Sequence, residues 1–248
     1  DPRAALAPAA APRSDDPIAP FAAFELLDLD PAEVSTRGSR TWYVRAQNFV
    51  LAYTRAVAGD RLARGAAEQA HEYVVLVPHE GTTVRFDHAD LPGAELTGRG
   101  VAIVPGGASG VTLDTDGDVV RLFDVRSSDL LPRCHNAADY AEPHPRVAPL
   151  QPWPDPLGEP AIRCYPHSAY PLDPARFGRI FRSSAFMVNF GDPRTGPRNP
   201  DRLSPHHHDD FEQVSLTVAG DYVHHVRTPW TAKLSQWRPD VHAAVASP

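Results

Sequence analysis

Residues 204–222 read SPHHHDDFEQVSLTVAGDY. His206 and His208 stand one residue apart, ahead of an apolar run that ends at Gly220. On a strand, side chains alternate with period two, so these two imidazoles reach one face while His207 points to the other. Neutral imidazole suits borderline divalent metals, and one further ligand from a neighbouring position would make one face of a coordination sphere. Glu212 and Gln213 are the candidates for that ligand. Asp209 and Asp210 read as a turn between strands. The alternatives are a solvated histidine-rich loop and a fold that keeps these residues without a metal.

The texture around this stretch is β. Segments 41–53, 72–77, 82–86, 101–104 and 119–125 are short and rich in Val, Phe, Tyr and Thr, and are separated by turn clusters such as PHEG, PGGASG and TDGD. Strand texture resumes at 162–165, 179–182, 185–190, 213–218 and 222–228. Many short strands with frequent turns mean a sandwich, jelly roll or barrel. Between the two series, Glu142 to Pro160 holds seven prolines, too many for an interior strand and suited to a stiff connector. Residues 1–20, rich in Ala, Pro and Asp, read as a flexible lead-in. The expected organisation is a lead-in over 1–20, a barrel over 21–141, a linker over 142–160 and a second barrel over 161–248.

Composition narrows the function. The 248 residues carry a net charge of -7, which argues against a nucleic-acid binder, because phosphate recognition needs a concentrated basic face. No apolar run approaches the ~20 residues that span a bilayer, and the start lacks the charged-then-apolar pattern of a signal peptide. A soluble, cytoplasmic protein with no membrane partner is the expectation. Cys134 and Cys164 are the two cysteines; with no CxxC spacing they read as buried free thiols.

The histidine stretch resembles the first sequence motif of the cupin superfamily, G-x5-H-x-H-x(3,4)-E-x6-G, in which many members carry Gln at the Glu place. His206, His208, Gln213 and Gly220 fit it in order, whereas Pro200 stands where the leading Gly belongs. Glu212 fits the shorter gap but misses the glycine spacing by one, so Gln213 is the expected ligand. A neutral Gln leaves one more positive charge on the ion than Glu would, which strengthens its Lewis acidity. With Gly81 in the role of Gly220, the same places in the first half fall on Ala67, Gln69 and Val74. PGGASGVTLD resembles the second cupin motif, with Gly110 and Asp114 at its His and Asn places. The first barrel is therefore expected to be structural and metal-free, with His71, His79 and His88 as surface or capping groups.

The resemblance implies an all-β chain of two jelly-roll (double-stranded β-helix) barrels in tandem, a bicupin. It also implies one divalent transition metal (iron, manganese, nickel or zinc) in the second barrel, a small-molecule substrate and a homodimer. No second motif follows Gly220 before Pro248, so the second barrel is expected to lack its C-terminal strands and its fourth ligand. His224, on the strand after the Gly220 turn, is expected to line the pocket, and Arg202 to steer a substrate. The implied activity is that of a metal-dependent, dioxygenase-like oxidoreductase acting on a carboxylate, enol or diketone. A non-catalytic small-ligand or sugar-binding cupin, or a cupin isomerase, is the alternative.

Overall fold

Gly, Pro and Asp turns cut the first half into short β-branched runs, and most of these runs are strands in the computed structural model, which describes residues 22–154, 156–172, 178–201, 211–226 and 243–247. The lead-in over 1–20 lies outside the described residues. The chain divides into two compact units. One contains residues 26–144 and 149–191, and the other contains 145–148 and 192 onward.

In the first unit the long run over 41–53 is a hairpin. After the edge strand β1 (Glu33–Val34), it comprises β2 (Arg40–Arg45) and β3 (Phe49–Ala56), with Ala46 donating its N–H to the Phe49 carbonyl at the turn between them. Next come β4 (Arg61–Arg64), β5 (Tyr73–Val77), β6 (Thr83–His88), β7 (Ala94–Thr97), β8 (Gly100–Val104), β9 (Ser109–Leu113) and β10 (Gly117–Asp124). The pairings are nested: β3 with β10, β4 with β9, β5 with β8 and β6 with β7, all antiparallel. This is one long ladder, folded at the turn between β6 and β7 and rolled so that its rungs alternate between two sheets. It is a jelly roll. The wider sheet has the order β1-β2-β3-β10-β5-β8-β11 and the narrower one β4-β9-β6-β7. At the rim Gly81 has a φ of +85°, which a residue without Cβ adopts freely.

The core lies between the sheets. Inward residues at period two include Val50 and Ala52 on β3, Tyr73, Val75 and Val77 on β5, and Val119 and Phe123 on β10. The opposite face of the wide sheet is buried as well, through Trp42, Leu51, Val74, Val101, Ile103 and Val120. Residues from 149–191 account for much of that cover. Arg163–Pro166, expected to open a second barrel, is instead β11, the edge strand beside β8. The hairpin of β12 (Ile180–Arg182) and β13 (Met187–Asn189) follows, with the Phe186 ring 6.3 Å from that of Phe49. Glu72 binds both pieces, accepting from Arg163 Nη2 at 2.6 Å and from the Ser184 N–H. The proline-rich run is not only a connector, because the Trp153 N–H donates to the Ser184 carbonyl at 2.7 Å.

The second unit contains β14 (Tyr222–Val226) paired antiparallel with β15 (Ala243–Ser247). Residues 213–218, expected as a strand, are not in one. A finished second barrel is not seen among the described residues.

Two outcomes are expected. A fragment of residues 26–191 should unfold in one cooperative transition. One ending at 144 lacks β11 and the hairpin, leaving the β8 edge and the outer apolar face open, and it should aggregate or melt lower by about 5 °C or more. Equal melting points would show that residues 149–191 do not support the sheet. The second outcome concerns Asp129, whose two oxygens accept from Arg64 Nη1 and Nη2 at 2.7 and 2.8 Å. The Arg64 guanidinium holds this carboxyl below its ordinary value. Because the folded chain binds the proton less tightly than the unfolded one, the stabilisation is complete above about pH 4 and fades as pH falls through the folded value. Urea unfolding of Asp129→Asn should therefore show a smaller loss of stability between about pH 7 and pH 3 than the wild type. The same loss in both would remove Asp129 as a source of acid sensitivity.

Candidate functional site

The register across the wide sheet sets out one row of inward side chains. Tyr43 lies opposite Ala52, Ala52 opposite Arg121, Arg121 opposite Val75 and Val75 opposite Ala102. The small Ala52 separates two large groups and leaves room between them. A cavity of about 430 Å³ opens here, bordered by Tyr43, Leu62, Phe123 and Leu130 and by Arg61, Arg64, Arg121 and Arg133.

Three of these arginines have a carboxylate. Arg61 Nε donates to Asp87 at 2.9 Å, Arg64 makes the two-pronged bond to Asp129, and Arg133 Nη1 lies 3.1 Å from Glu33. Glu33 also accepts from the Tyr43 hydroxyl at 2.8 Å. Burial, ahead of the opposing charge of Arg121, pushes the Tyr43 phenol up, so it stays neutral and protonated near pH 7. Arg121 is 4% exposed, its Nε has no hydrogen-bond partner among the described residues, and its guanidinium carbon lies 5.6 Å from the Phe123 ring centre. Sequence reading passed over this residue, although its signal was present: a cation at inward parity between Val119 and Phe123.

The first-half ligand places are used structurally. The buried Gln69 amide accepts from Arg64 Nε at 3.1 Å and Ser127 Oγ at 3.2 Å and donates to the His71 carbonyl at 2.7 Å. Val74 faces the outer side of the sheet, since its neighbours Tyr73 and Val75 face the core. Gly110 also faces outward, opposite Ala63 and Asp87, where a Cβ would collide with the Arg61–Asp87 pair. A histidine at that place could not have reached the interior. His88 is a turn cap, with Nε2 donating to the Gly106 carbonyl at 3.0 Å and Nδ1 accepting from the Asp90 N–H at 3.1 Å. Burial pushes the Cys134 and Cys164 thiols up to about 11, so neither is a ready thiolate.

Of the expected metal and substrate residues in the second unit, His206, His208 and Arg202 lie outside the described residues. Gln213 is exposed and in no strand, and Gly220 has a φ of +79°, a conformation that a residue without Cβ adopts freely. His224 is half-buried on β14, with Nε2 3.5 Å from Thr217 Oγ1 and its ring 4.6 Å from that of Tyr222. Burial lowers its pKa against the opposing charge of Glu25, which favours the neutral imidazole. Among the described residues no three of His, Cys, Asp and Glu gather as a metal site. No helix among them is long and apolar enough to cross a membrane.

No protein-family model and no curated protein matches the chain. Among solved structures it is similar to a cupin superfamily protein from Desulfitobacterium hafniense, with 10% identity, a TM-score of 0.30, and coverage of 37% of this chain and 82% of that one. An RmlC-like cupin from Desulfovibrio desulfuricans gives 17% identity, a TM-score of 0.32 and coverage of 41% and 94%. Salicylate 1,2-dioxygenase from Pseudoaminobacter salicylatoxidans, solved as adducts with gentisate, gives 17% identity, a TM-score of 0.32 and coverage of 42% and 29%. On its own nested strand order, with strands alternating between a wide and a narrow antiparallel sheet, the first unit is a jelly roll.

Proposed function

We propose that the chain is a metal-dependent cupin enzyme, a dioxygenase-like oxidoreductase acting on a small carboxylate, enol or diketone. The observation that carries this reading is the spacing His206, His208, Gln213, Gly220. Two imidazoles and an amide oxygen form a borderline donor set that suits iron, manganese, nickel or zinc. A bound ion of this kind supplies Lewis acidity to an oxygen ligand. In this reading Arg202 draws an anionic substrate toward the motif, and His224, kept neutral by burial, lines the site as a hydrogen-bonding wall. The motif belongs to a second domain within residues 192–248, and the active form is a homodimer.

A non-catalytic ligand-binding cupin is the second reading. It is favoured by the exposure of Gln213 and by the first barrel, whose ligand places are filled by Gln69, Val74 and Gly110.

Elemental analysis of the full chain should give about one transition metal per chain, falling at least fivefold in the His206→Ala, His208→Ala double variant. Equal content in the two would overturn the metal site. Oxygen uptake with a panel of catechols, diketones and hydroxy acids then separates enzyme from binder. A metal-loaded protein that consumes no oxygen with any of them would favour the second reading.

A further inference from the structure

Arg121 is a buried cation of the first barrel that no carboxylate among the described residues compensates. It sits on the inner face of β10 between two core residues, 4% exposed, and it borders the cavity. A guanidinium carries five donors, and a charge taken out of water is costly unless paired and hydrogen-bonded. The carboxylates that border the cavity are engaged elsewhere: both Asp129 oxygens with Arg64, Glu33 with Arg133 and Tyr43, and Glu68 with the Gly65 N–H at 3.1 Å and with Arg64 at 3.8 Å. No carboxylate among the described residues pairs with Arg121. Its contact with the Phe123 ring is shared with Arg64, whose guanidinium carbon lies 5.2 Å from the same ring centre.

The space beside Arg121 is of ligand size. A volume of about 430 Å³ falls in the range of small-molecule pockets. Phe123, Leu62 and Leu130 give it an apolar side within an otherwise largely polar border that includes Ser35, Ser39 and Thr41. One uncompensated cation matches a single negative charge, and the planar guanidinium fork matches a carboxylate. A phosphate dianion would bring excess charge into the cavity, and its all-polar surface would make no use of the apolar side.

We infer that this cavity binds a small monocarboxylate with an apolar body, its carboxylate on Arg121 and its hydrocarbon part against Phe123, Leu62 and Leu130. The site needs no metal and goes beyond the function proposed for the His206 motif.

Calorimetric titration of the full chain with benzoate, with its neutral isostere benzamide and with inorganic phosphate, all in excess EDTA, tests this. Benzoate should bind at least tenfold more tightly than either other probe. Arg121→Met should lose at least tenfold in benzoate affinity while melting no lower than wild type, and Arg121→Lys should retain part of it. The His206→Ala, His208→Ala variant should bind benzoate as wild type does. Equal binding of benzoate and benzamide, no benzoate binding up to about 20 mM, tighter binding of phosphate, a folded Arg121→Met that keeps benzoate, or loss of binding with the histidine variant would each overturn the site. The comparison of benzoate with benzamide uses wild-type protein and decides even where the Arg121 variants fail to fold.

Discussion

The register between β3 and β10, from Gly117 opposite Ala56 to Asp124 opposite Phe49, is the constraint from which the interior of the first barrel follows. A slip by one residue would turn Val119, Arg121 and Phe123 outward and bring Val120 and Leu122 in. The barrel would then lose Arg121 from its interior. The nested pairings inside this outermost rung hold it in place, because each shorter rung shares a sheet with a longer one and cannot shift alone. The turn between β6 and β7 is the innermost closure of the same ladder.

Burial on both faces of the wide sheet decides how the chain after Asp124 is used. An antiparallel sheet with one face on its core can leave the other to water, but Trp42, Leu51, Val74 and Ile103 make the second face apolar here. The Glu72 carboxylate, tied to Arg163 and the Ser184 N–H, fastens the covering segments where β5 begins. Its charge is matched by the arginine, and the backbone bond occupies its other oxygen, so the tie meets the requirement that a buried charge be both paired and hydrogen-bonded.

The polar network around Arg64 follows the same rule. Arg64 reaches Asp129, Gln69 and the Glu68 carbonyl, joining β4 to the 3-10 helix Ser128–Arg133 and the loop before β5. Gln69 spends its whole amide in that network. Arg121 has no such set of partners, and the cavity lies beside it. The first barrel thus holds an internal cavity with a buried guanidinium at its border.

The sequence by itself determined the all-β class, most strand positions in the first half and the glycine turns, because β-branched runs cut by Gly, Pro and Asp state local preferences that packing did not override. It also carried the His206, His208, Gln213 spacing, which rests on residue identity. The short strands β4, β7 and β9 were not legible: RLAR and AELT lack aromatic or strongly β-branched character, and SGVTL reads as part of a turn motif. Tertiary structure alone decided that Arg163–Pro166 joins the first barrel, since a strand's partner sixty residues away leaves no trace in its own composition. It alone decided that Gly110 faces outward and that Arg121 lies inside without a carboxylate. Facing direction depends on register, and pairing depends on which distant side chains share the same low-dielectric space; neither quantity is local to the chain.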